Sequence, residues 1–320
     1  MKSATKVAVV GVGVLGKHHA RIYSERPDVE LVAVVDINQD RLWQVASACS
    51  CPGYENYRDI LDHVEAISLA VPTVEHARIG TDFLEKGIHV LVEKPVSQTL
   101  DEAEHLIQAA RKGKAILHVG HSERFNPAVI AVKPHIRHPR FFEAHRLGVF
   151  VPRSLDIDVV LDLMIHDLDL ILYLVESEVQ EIRAVGIPVL TQRTDIANAR
   201  LAFKNGCVAN VTASRVSTEM IRKLRFFQPQ EYVSLDFSTQ ELEVHTVKSG
   251  DAGIGIAEKT FEVTKEEPLK LEIKVFLSAI CGEKIAEESP DGCSGEEGKR
   301  ALSLALEIKN IIEKDSDGTG

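Results

Sequence analysis

Lys6-Val7-Ala8-Val9-Val10-Gly11-Val12-Gly13-Val14-Leu15-Gly16, read together with Leu31-Val32-Ala33-Val34-Val35-Asp36, decides the fold of this chain. The first stretch is a β-branched run that ends in Gly-x-Gly-x-x-Gly and leads into a helical pattern over residues 15–24. The second is another apolar run, and it ends on an acidic residue twenty positions beyond Gly16. Strand, glycine turn, helix, strand and acid in that order form the dinucleotide-binding fingerprint. Gly11 permits the tight turn, Gly13 lets a pyrophosphate approach the backbone, and Gly16 lets the helix pack on the strand. Val14 and Leu15 stand where the helix begins, an end whose N–H groups face an anion. Asp36 is placed to accept hydrogen bonds from the adenosine ribose hydroxyls. A carboxylate there repels a 2′-phosphate and Ile37-Asn38 offers no cation, so these residues favour NAD over NADP. The plainer alternatives are a strand–helix turn without ligand and, for Asp36, a helix N-cap.

Outward from this motif, apolar runs at residues 66–71, 88–92 and 115–119 alternate with helical patterns near 40–48, 74–86 and 100–112. Continuous apolar strands between amphipathic helices argue for a parallel sheet covered on both faces. Thr73 and Thr99 stand where helix N-caps are wanted, and Gly87 and Gly113 where helices stop. After about Gly120 the pattern changes. Asn126-Pro127 is a cap and first turn for a helix to about Ile136; residues 141–149 read as a strand and 159–174 as an apolar helix. From 179 to about 247 strands alternate, with Asn205-Gly206 marking a hairpin. Helices near 269–280 and 295–312 close the chain. The expected fold is an α/β Rossmann domain over residues 1–121, then an α+β substrate-binding and oligomerisation domain over 122–320 with a largely antiparallel, open-faced sheet. Alternating apolar positions in 199–203 and 208–213 are expected to form that open face and to drive homo-oligomerisation.

Length agrees with two domains, since 320 residues exceed what one core comfortably holds. A net charge of −11 disfavours wrapping nucleic acid or lying on an anionic membrane. A local cluster of cations and N–H groups would still hold a polyanionic small molecule. No apolar run reaches the roughly 18–20 residues of a membrane span, and the N-terminal stretch lacks the apolar core of a signal peptide. Five scattered cysteines form no disulfide framework, and Cys49-Ser50-Cys51 has the wrong spacing for a zinc knuckle. The expectation is a cytoplasmic protein with free thiols and no metal site.

Three further sites carry chemistry. Glu93-Lys94-Pro95 follows the run 88–92, and ligands of open α/β sheets bind beyond the carboxyl ends of strands, so Lys94 is placed to enter a cleft. A solvated surface lysine is the alternative. Asp162 and His166, four apart in an apolar helical stretch, share one helix face. A histidine oriented by a carboxylate is a proton acceptor near neutral pH, although a buried Asp–His pair can also merely satisfy itself. Asp167 and Asp169 are rotated away, expected to face solvent or support the helix. Arg124, at the join of the domains, can pair with a phosphate or a substrate carboxylate, or form an interdomain ion pair.

The glycines with Asp36, then Glu93-Lys94-Pro95, Arg124-Phe125-Asn126-Pro127 and Asp162-x-x-x-His166 resemble the glucose–fructose oxidoreductase/inositol dehydrogenase (Gfo/Idh/MocA) family over nearly the whole chain. The resemblance implies a Rossmann domain with Glu93, Arg124 and the stretch Pro72-Thr73-x-x-His76 added to the NAD-binding set. It implies a substrate site lined by Lys94, Asp162 and His166, and a second sheet that commonly mediates dimers or tetramers. One departure is that Asp156-Ile157-Asp158-Val159-Val160-Leu161 stands where many members carry glycines, which alters the pocket wall. A narrower resemblance rests on His145 to Arg153, Asp158 to Asp169, Asp195 to Arg200 and Asn210 to Arg215. It is to the bacterial branch linked to lipid A biosynthesis, which oxidises UDP-N-acetylglucosamine at C3 and supplies the 3-keto sugar to an aminotransferase. On that resemblance Arg146, Arg153 and Arg215 meet the diphosphate of a sugar nucleotide.

The combined expectation is an NAD-dependent dehydrogenase acting on a sugar-nucleotide hydroxyl. Lys94 hydrogen-bonds the alcohol oxygen, His166 takes its proton and Asp162 orients His166. A dehydrogenase of a free sugar or polyol, and an NAD-binding regulatory protein without turnover, are the alternatives. The joint presence of Lys94, Asp162 and His166 speaks against the last, because a sensor needs no acid–base set.

Overall fold

The computed structural model describes residues 4–150, 157–250, 253–283 and 290–317. Strands β1 (Thr5–Val10), β2 (Val29–Val35), β3 (Gly53–Tyr54), β4 (Ala66–Leu69), β5 (His89–Glu93) and β6 (Leu117–Gly120) form one parallel sheet in the order β3-β2-β1-β4-β5-β6. Helices α1 (Gly16–Ser24), α2 (Gln39–Cys49), α3 (His76–Leu84) and α4 (Leu100–Gly113) join the strands. Strand order reverses between β1 and β4, the switch point beyond which such sheets open a crevice. Central strand residues such as Val7, Ala8, Val9, Ile67 and Val90 are fully buried, as continuous apolar runs require. α4 begins with a capping box: the Thr99 hydroxyl accepts from the Glu102 N–H at 3.2 Å, and the Glu102 carboxylate accepts from the Thr99 N–H at 3.1 Å. The other expected cap is corrected. Thr73 lies in a 3-10 turn, Thr73–Glu75, ahead of α3 and does not cap that helix. At the end of α4 it is Lys114, not Gly113, that takes the left-handed conformation, at φ 55°.

The second sheet follows α5 (Pro127–Val132). Its strands are β7 (Phe141–Leu147), β8 (Val179–Ile187), β9 (Ile196–Phe203), β10 (Val208–Ser214), β11 (Ile221–Gln228), β12 (Glu231–Asp236), β13 (Glu241–Gly250) and β14 (Gly253–Lys259). The order is β14-β13-β12-β11-β7-β10-β9-β8, antiparallel throughout except between β7 and β10. Between β7 and β8 a π-turn, Val160–Met164, runs into α6 (Ile165–Val175). The inward residues of the sheet, among them Phe142, Ala199, Leu201, Val211 and Phe226, share a core with Met164, Leu168 and Ile171.

This packing reverses one expectation. Ala199, Leu201, Phe203, Ala209, Val211 and Ala213 are buried against the helices rather than forming the open face. Outward stand Asn198, Arg200, Asn210 and Thr212, with Asn198 donating to Thr212 at 2.8 Å and Arg200 to Asn210 at 3.0 Å. Period-two alternation separates two faces without saying which one the helices cover. The outward apolar surface is instead a row of rings across four strands: Phe141 to Phe227 at 5.8 Å, Phe227 to Tyr232 at 5.2 Å and Tyr232 to His245 at 5.7 Å.

Two helices remain, α7 (Pro268–Ile280) and α8 (Gly295–Asp317). By packing, the chain forms two units: residues 1–122 with 269–299, and residues 123–268 with 300–320. The expected continuous second domain, 122–320, is therefore interrupted. α7 places Ile273, Phe276 and Leu277 in the core of the first unit with Val9, Tyr23 and Val34. An apolar helix face announces burial, not which core receives it, so its destination was not legible in pattern. Among the described residues no helix is long and apolar enough to cross a membrane.

Candidate active site

The glycine turn leaves β1 with Gly11 at φ +87°, and a Cβ there would lie 2.6 Å from the Ala70 carbonyl oxygen. A Cβ on Gly16 would lie 1.8 Å from the Gly11 carbonyl oxygen, so α1 can start this close to β1 only with glycine. Gly13 differs. Nothing of the protein crowds it; the nearest atom to a Cβ there is Arg41 Nη1 at 3.8 Å. The space over Gly13 is what a pyrophosphate approaching the start of α1 requires, and Val14 and Leu15 beside it are exposed. Asp36 is buried at the end of β2, where its carboxylate accepts from the N–H groups of Val12 at 3.0 Å and Asn38 at 2.8 Å. Arg41 donates to the same carboxylate at 3.3 Å. Positions 37 and 38 offer no cation, and the one beside Asp36 comes from further on, in the first turn of α2.

Lys94, half-buried, follows β5, and the residues around it are held from below. Glu93 receives a hydrogen bond from His19 Nε2 at 2.9 Å; His19 Nδ1 lies 2.9 Å from Ser68 Oγ, which lies 2.9 Å from the Tyr23 hydroxyl. One tautomer satisfies the whole row. Tyr23 donates to Ser68, Ser68 donates to Nδ1, and Nε2–H donates to the carboxylate. Burial works against ionising Glu93, but the His19 hydrogen bond and the nearby Lys94 outweigh it and hold its carboxyl below the usual range. His76 braces the next residue, with its ring nitrogens 2.9 Å from the Val71 carbonyl and 3.0 Å from the Pro95 carbonyl. Burial pushes the His76 pKa down. Of the other expected cofactor contacts, Glu93 meets His19 through one carboxylate oxygen and His76 meets the Val71 and Pro95 carbonyls, while Pro72 is exposed and Thr73 half-buried.

In the second unit, Asp162 lies in the π-turn and His166 in the first turn of α6; both are half-buried. The expected unbroken α-helix is corrected by this widened turn, a feature that tends to mark functional sites. Asp158 starts it, accepting from the Val160 N–H at 2.8 Å through its side chain and from the Asp162 N–H at 3.0 Å through its carbonyl. The arginines behave differently from expectation. Arg124, 2% exposed, donates twice to Asp169, at 2.7 and 2.6 Å, and lies over the Tyr173 ring. Arg146 donates twice to Asp167, at 2.8 and 2.9 Å, and once to Glu123 at 2.8 Å. Burial alone would lower its pKa, and those two carboxylates raise it instead. Arg124, expected at the cofactor, and Arg146, expected at a diphosphate, are thus each paired with a buried carboxylate. Asp167 and Asp169 are those carboxylates, buried rather than solvent-facing. Arg215 donates to the Ile157 carbonyl. Arg153 lies outside the described residues.

Residues 5–121 match the oxidoreductase family GFO/IDH/MocA, NAD-binding Rossmann fold, and residues 128–229 match the GFO/IDH/MocA C-terminal domain. The chain belongs to this family. It is an NAD-binding oxidoreductase. The UDP-N-acetylglucosamine 3-dehydrogenase of Acidithiobacillus ferrooxidans is 37% identical over 311 residues, 96% of this chain and 97% of that one. A solved structure of that enzyme has a TM-score of 0.90, covering 97% of this chain and 98% of its own. The myo-inositol 2-dehydrogenase of Thermotoga maritima is 25% identical over 328 residues, covering 97% and 96% of the two chains. Levoglucosan dehydrogenase in complex with NADH shares the fold, with a TM-score of 0.84 at 18% identity and 98% of each chain covered.

Within this GFO/IDH/MocA chain, Lys94 belongs to the first unit and Asp162 and His166 to the second. The pattern reading missed Arg41, His19 and the carboxylates that neutralise Arg124 and Arg146. Arg41 had a signal, since a residue one helical turn past Asn38 can reach back over Asp36. His19 had only a weak one, a polar residue on the buried side of α1.

Proposed function

We propose that this protein oxidises the C3 hydroxyl of UDP-N-acetylglucosamine to the 3-keto sugar nucleotide with NAD. The observation that carries this reading is the 37% identity to the Acidithiobacillus ferrooxidans enzyme across nearly the full length of both chains. Bound at the glycine turn and Asp36, NAD supplies the hydride acceptor. Lys94 donates a hydrogen bond to the reacting oxygen and stabilises negative charge as it develops there. His166 takes the hydroxyl proton, and Asp162 holds the imidazole in place. The proton passes to His166 as the C3 hydride leaves, so the alcohol loses two electrons and becomes a ketone.

The protein works in the reducing cytoplasm, in keeping with Cys49, Cys51, Cys207 and Cys281 as free thiols. It forms a homodimer or homotetramer through the outward sheet face that carries Phe141, Phe227 and Tyr232. An aminotransferase consumes the keto product. Incubation with NAD and a panel of sugar nucleotides, free sugars and inositols, with an aminotransferase included to draw off the ketone, tests the reading. Reduced nicotinamide should appear with UDP-N-acetylglucosamine. Turnover of inositol or free glucosamine alone would overturn it. Light scattering at micromolar concentration should give a dimer or tetramer, and a 35 kDa monomer would remove that part.

A further inference from the structure

We propose that Asp195 and Arg215 are positioning residues that hang from the sheet the π-turn that bears Asp162 and leads into the helix turn of His166, and that Arg215 is not a diphosphate ligand. Its functional consequence rests on the acid–base reading of Asp162 and His166. Asp195, fully buried at the start of β9, gathers the loop behind it onto one carboxylate. Oδ2 accepts from the N–H groups of Val189 at 2.8 Å, Leu190 at 2.7 Å and Thr191 at 2.8 Å, and Oδ1 accepts from the Thr191 hydroxyl at 2.8 Å. Burial alone would raise its pKa, yet these donors bring it down to about 2, so the carboxylate stays charged. The Asp195 backbone joins in, its carbonyl accepting from the Arg215 N–H at 3.0 Å and its N–H donating to Ile187 at 3.0 Å.

From this hub two bonds reach the chain that enters the π-turn. The Thr194 carbonyl accepts from the Val159 N–H at 3.1 Å, and the Arg215 guanidinium donates to the Ile157 carbonyl. Arg215 Nε also lies 3.7 Å from Asp195 Oδ1, so the same carboxylate that orders the loop steadies the arginine. The arginine is 7% exposed and crosses between the end of β10 and residue 157. Residues 157 and 159 thus leave the sheet on fixed partners, Asp158 caps the next amide, and Asp162 follows at a set distance along the turn. A π-turn is rare and occurs mostly as a single widened turn in an α-helix, and here its entry is held by these partners from outside the helix. A shift of about 1 Å in a positioned group costs about 100-fold in rate.

Arg215→Met and Arg215→Lys in the full chain separate the roles. Arg215→Met should lower kcat about 10- to 100-fold while KM for UDP-N-acetylglucosamine and affinity for NAD stay near parental. Arg215→Lys, which keeps a cationic donor for the Ile157 carbonyl, should recover most of the loss. Hydrogen exchange in Arg215→Met should rise over residues 157–166 and 189–195 and be unchanged in β1 to β6. If kcat is parental, KM for the sugar nucleotide rises sharply and exchange over 157–166 is unmoved, Arg215 binds diphosphate and the inference is wrong. Should Arg215→Met not fold, Asp195→Asn reads the same quantities with a smaller loss expected. If His166→Ala keeps full turnover, the acid–base reading falls by itself, and the exchange result still decides whether Asp195 and Arg215 hold the turn.

Discussion

In the first unit the charged groups proposed to meet ligand stand at strand ends: Asp36 after β2 and Lys94 after β5, steadied by backbone N–H groups, by His19 through Glu93 and by His76 at Pro95. In the second unit two arginines that the sequence offers to ligands, Arg124 to the cofactor and Arg146 to a diphosphate, turn inward onto Asp169 and Asp167. The difference lies in range. A strand end followed by an acid or a lysine is a local pattern. Whether a cation is already neutralised depends on a carboxylate 21 or 45 residues away.

Removal of Asp169 should have the largest effect. Asp169→Ala should leave Arg124 buried without its carboxylate and cost about 3–5 kcal/mol of stability, while replacing Arg124 and Asp169 together by Met and Leu should cost far less. Urea denaturation of the three proteins checks this. A single variant as stable as the parent would return Arg124 to the list of ligand cations.

In the first unit, Asp36→Ala should invert nucleotide preference, because it removes the repulsion and leaves Arg41 facing the ribose. A change of about 30- to 100-fold in the NAD to NADP affinity ratio corresponds to about 2–3 kcal/mol. Calorimetric titration with both nucleotides reads it, and equal affinities of the parent would remove Asp36 from cofactor selection. Two glycines sharpen the contrast further. Gly16→Ala, with no space for its methyl, should cost about 1–3 kcal/mol of stability. Gly13→Ala, with open space around it, should fold as the parent and lose NAD affinity. Equal melting temperatures for both variants would contradict the assigned roles.

The smallest expected effect is on acid stability in the second unit. Asp195 has a folded-state pKa of about 2, below the ordinary carboxylate value. The unfolded chain therefore takes up the proton first. Its stabilising contribution is complete above about pH 5 and fades as pH falls through about 4 toward 2. The stability gap between the parent and Asp195→Asn should narrow over that window and stay constant from pH 5 to 7. A gap independent of pH down to 2.5 would show that the carboxylate charge does not hold the loop.

The legible part of the molecule was the part set by short spacing. The glycine turn, Asp36, the N-cap at Thr99 and the strand–helix alternation each follow from contacts within one or two turns or one strand. The Asn205-Gly206 hairpin does too, with Gly206 at φ +82°. What stayed hidden was decided by packing between distant segments. α7 joins the first unit's core, the inward face of β9 and β10 is the apolar one, and Arg146 pairs with Asp167. The π-turn was hidden for a different reason: Val159 to Leu174 is apolar enough to read as continuous helix, and the bonds at its entry come in part from Thr194 and Arg215, far along the chain.

The proposed joint action of Lys94 and His166 on one hydroxyl is read most directly from turnover of UDP-N-acetylglucosamine by His166→Ala, Lys94→Ala and the double variant, beside their NAD affinities. Each single variant should lose about 100- to 10,000-fold in kcat with NAD binding unchanged. The double variant should lose little more than either alone, because groups acting as a unit give non-additive losses. Near-parental turnover by His166→Ala on UDP-N-acetylglucosamine would contradict the account.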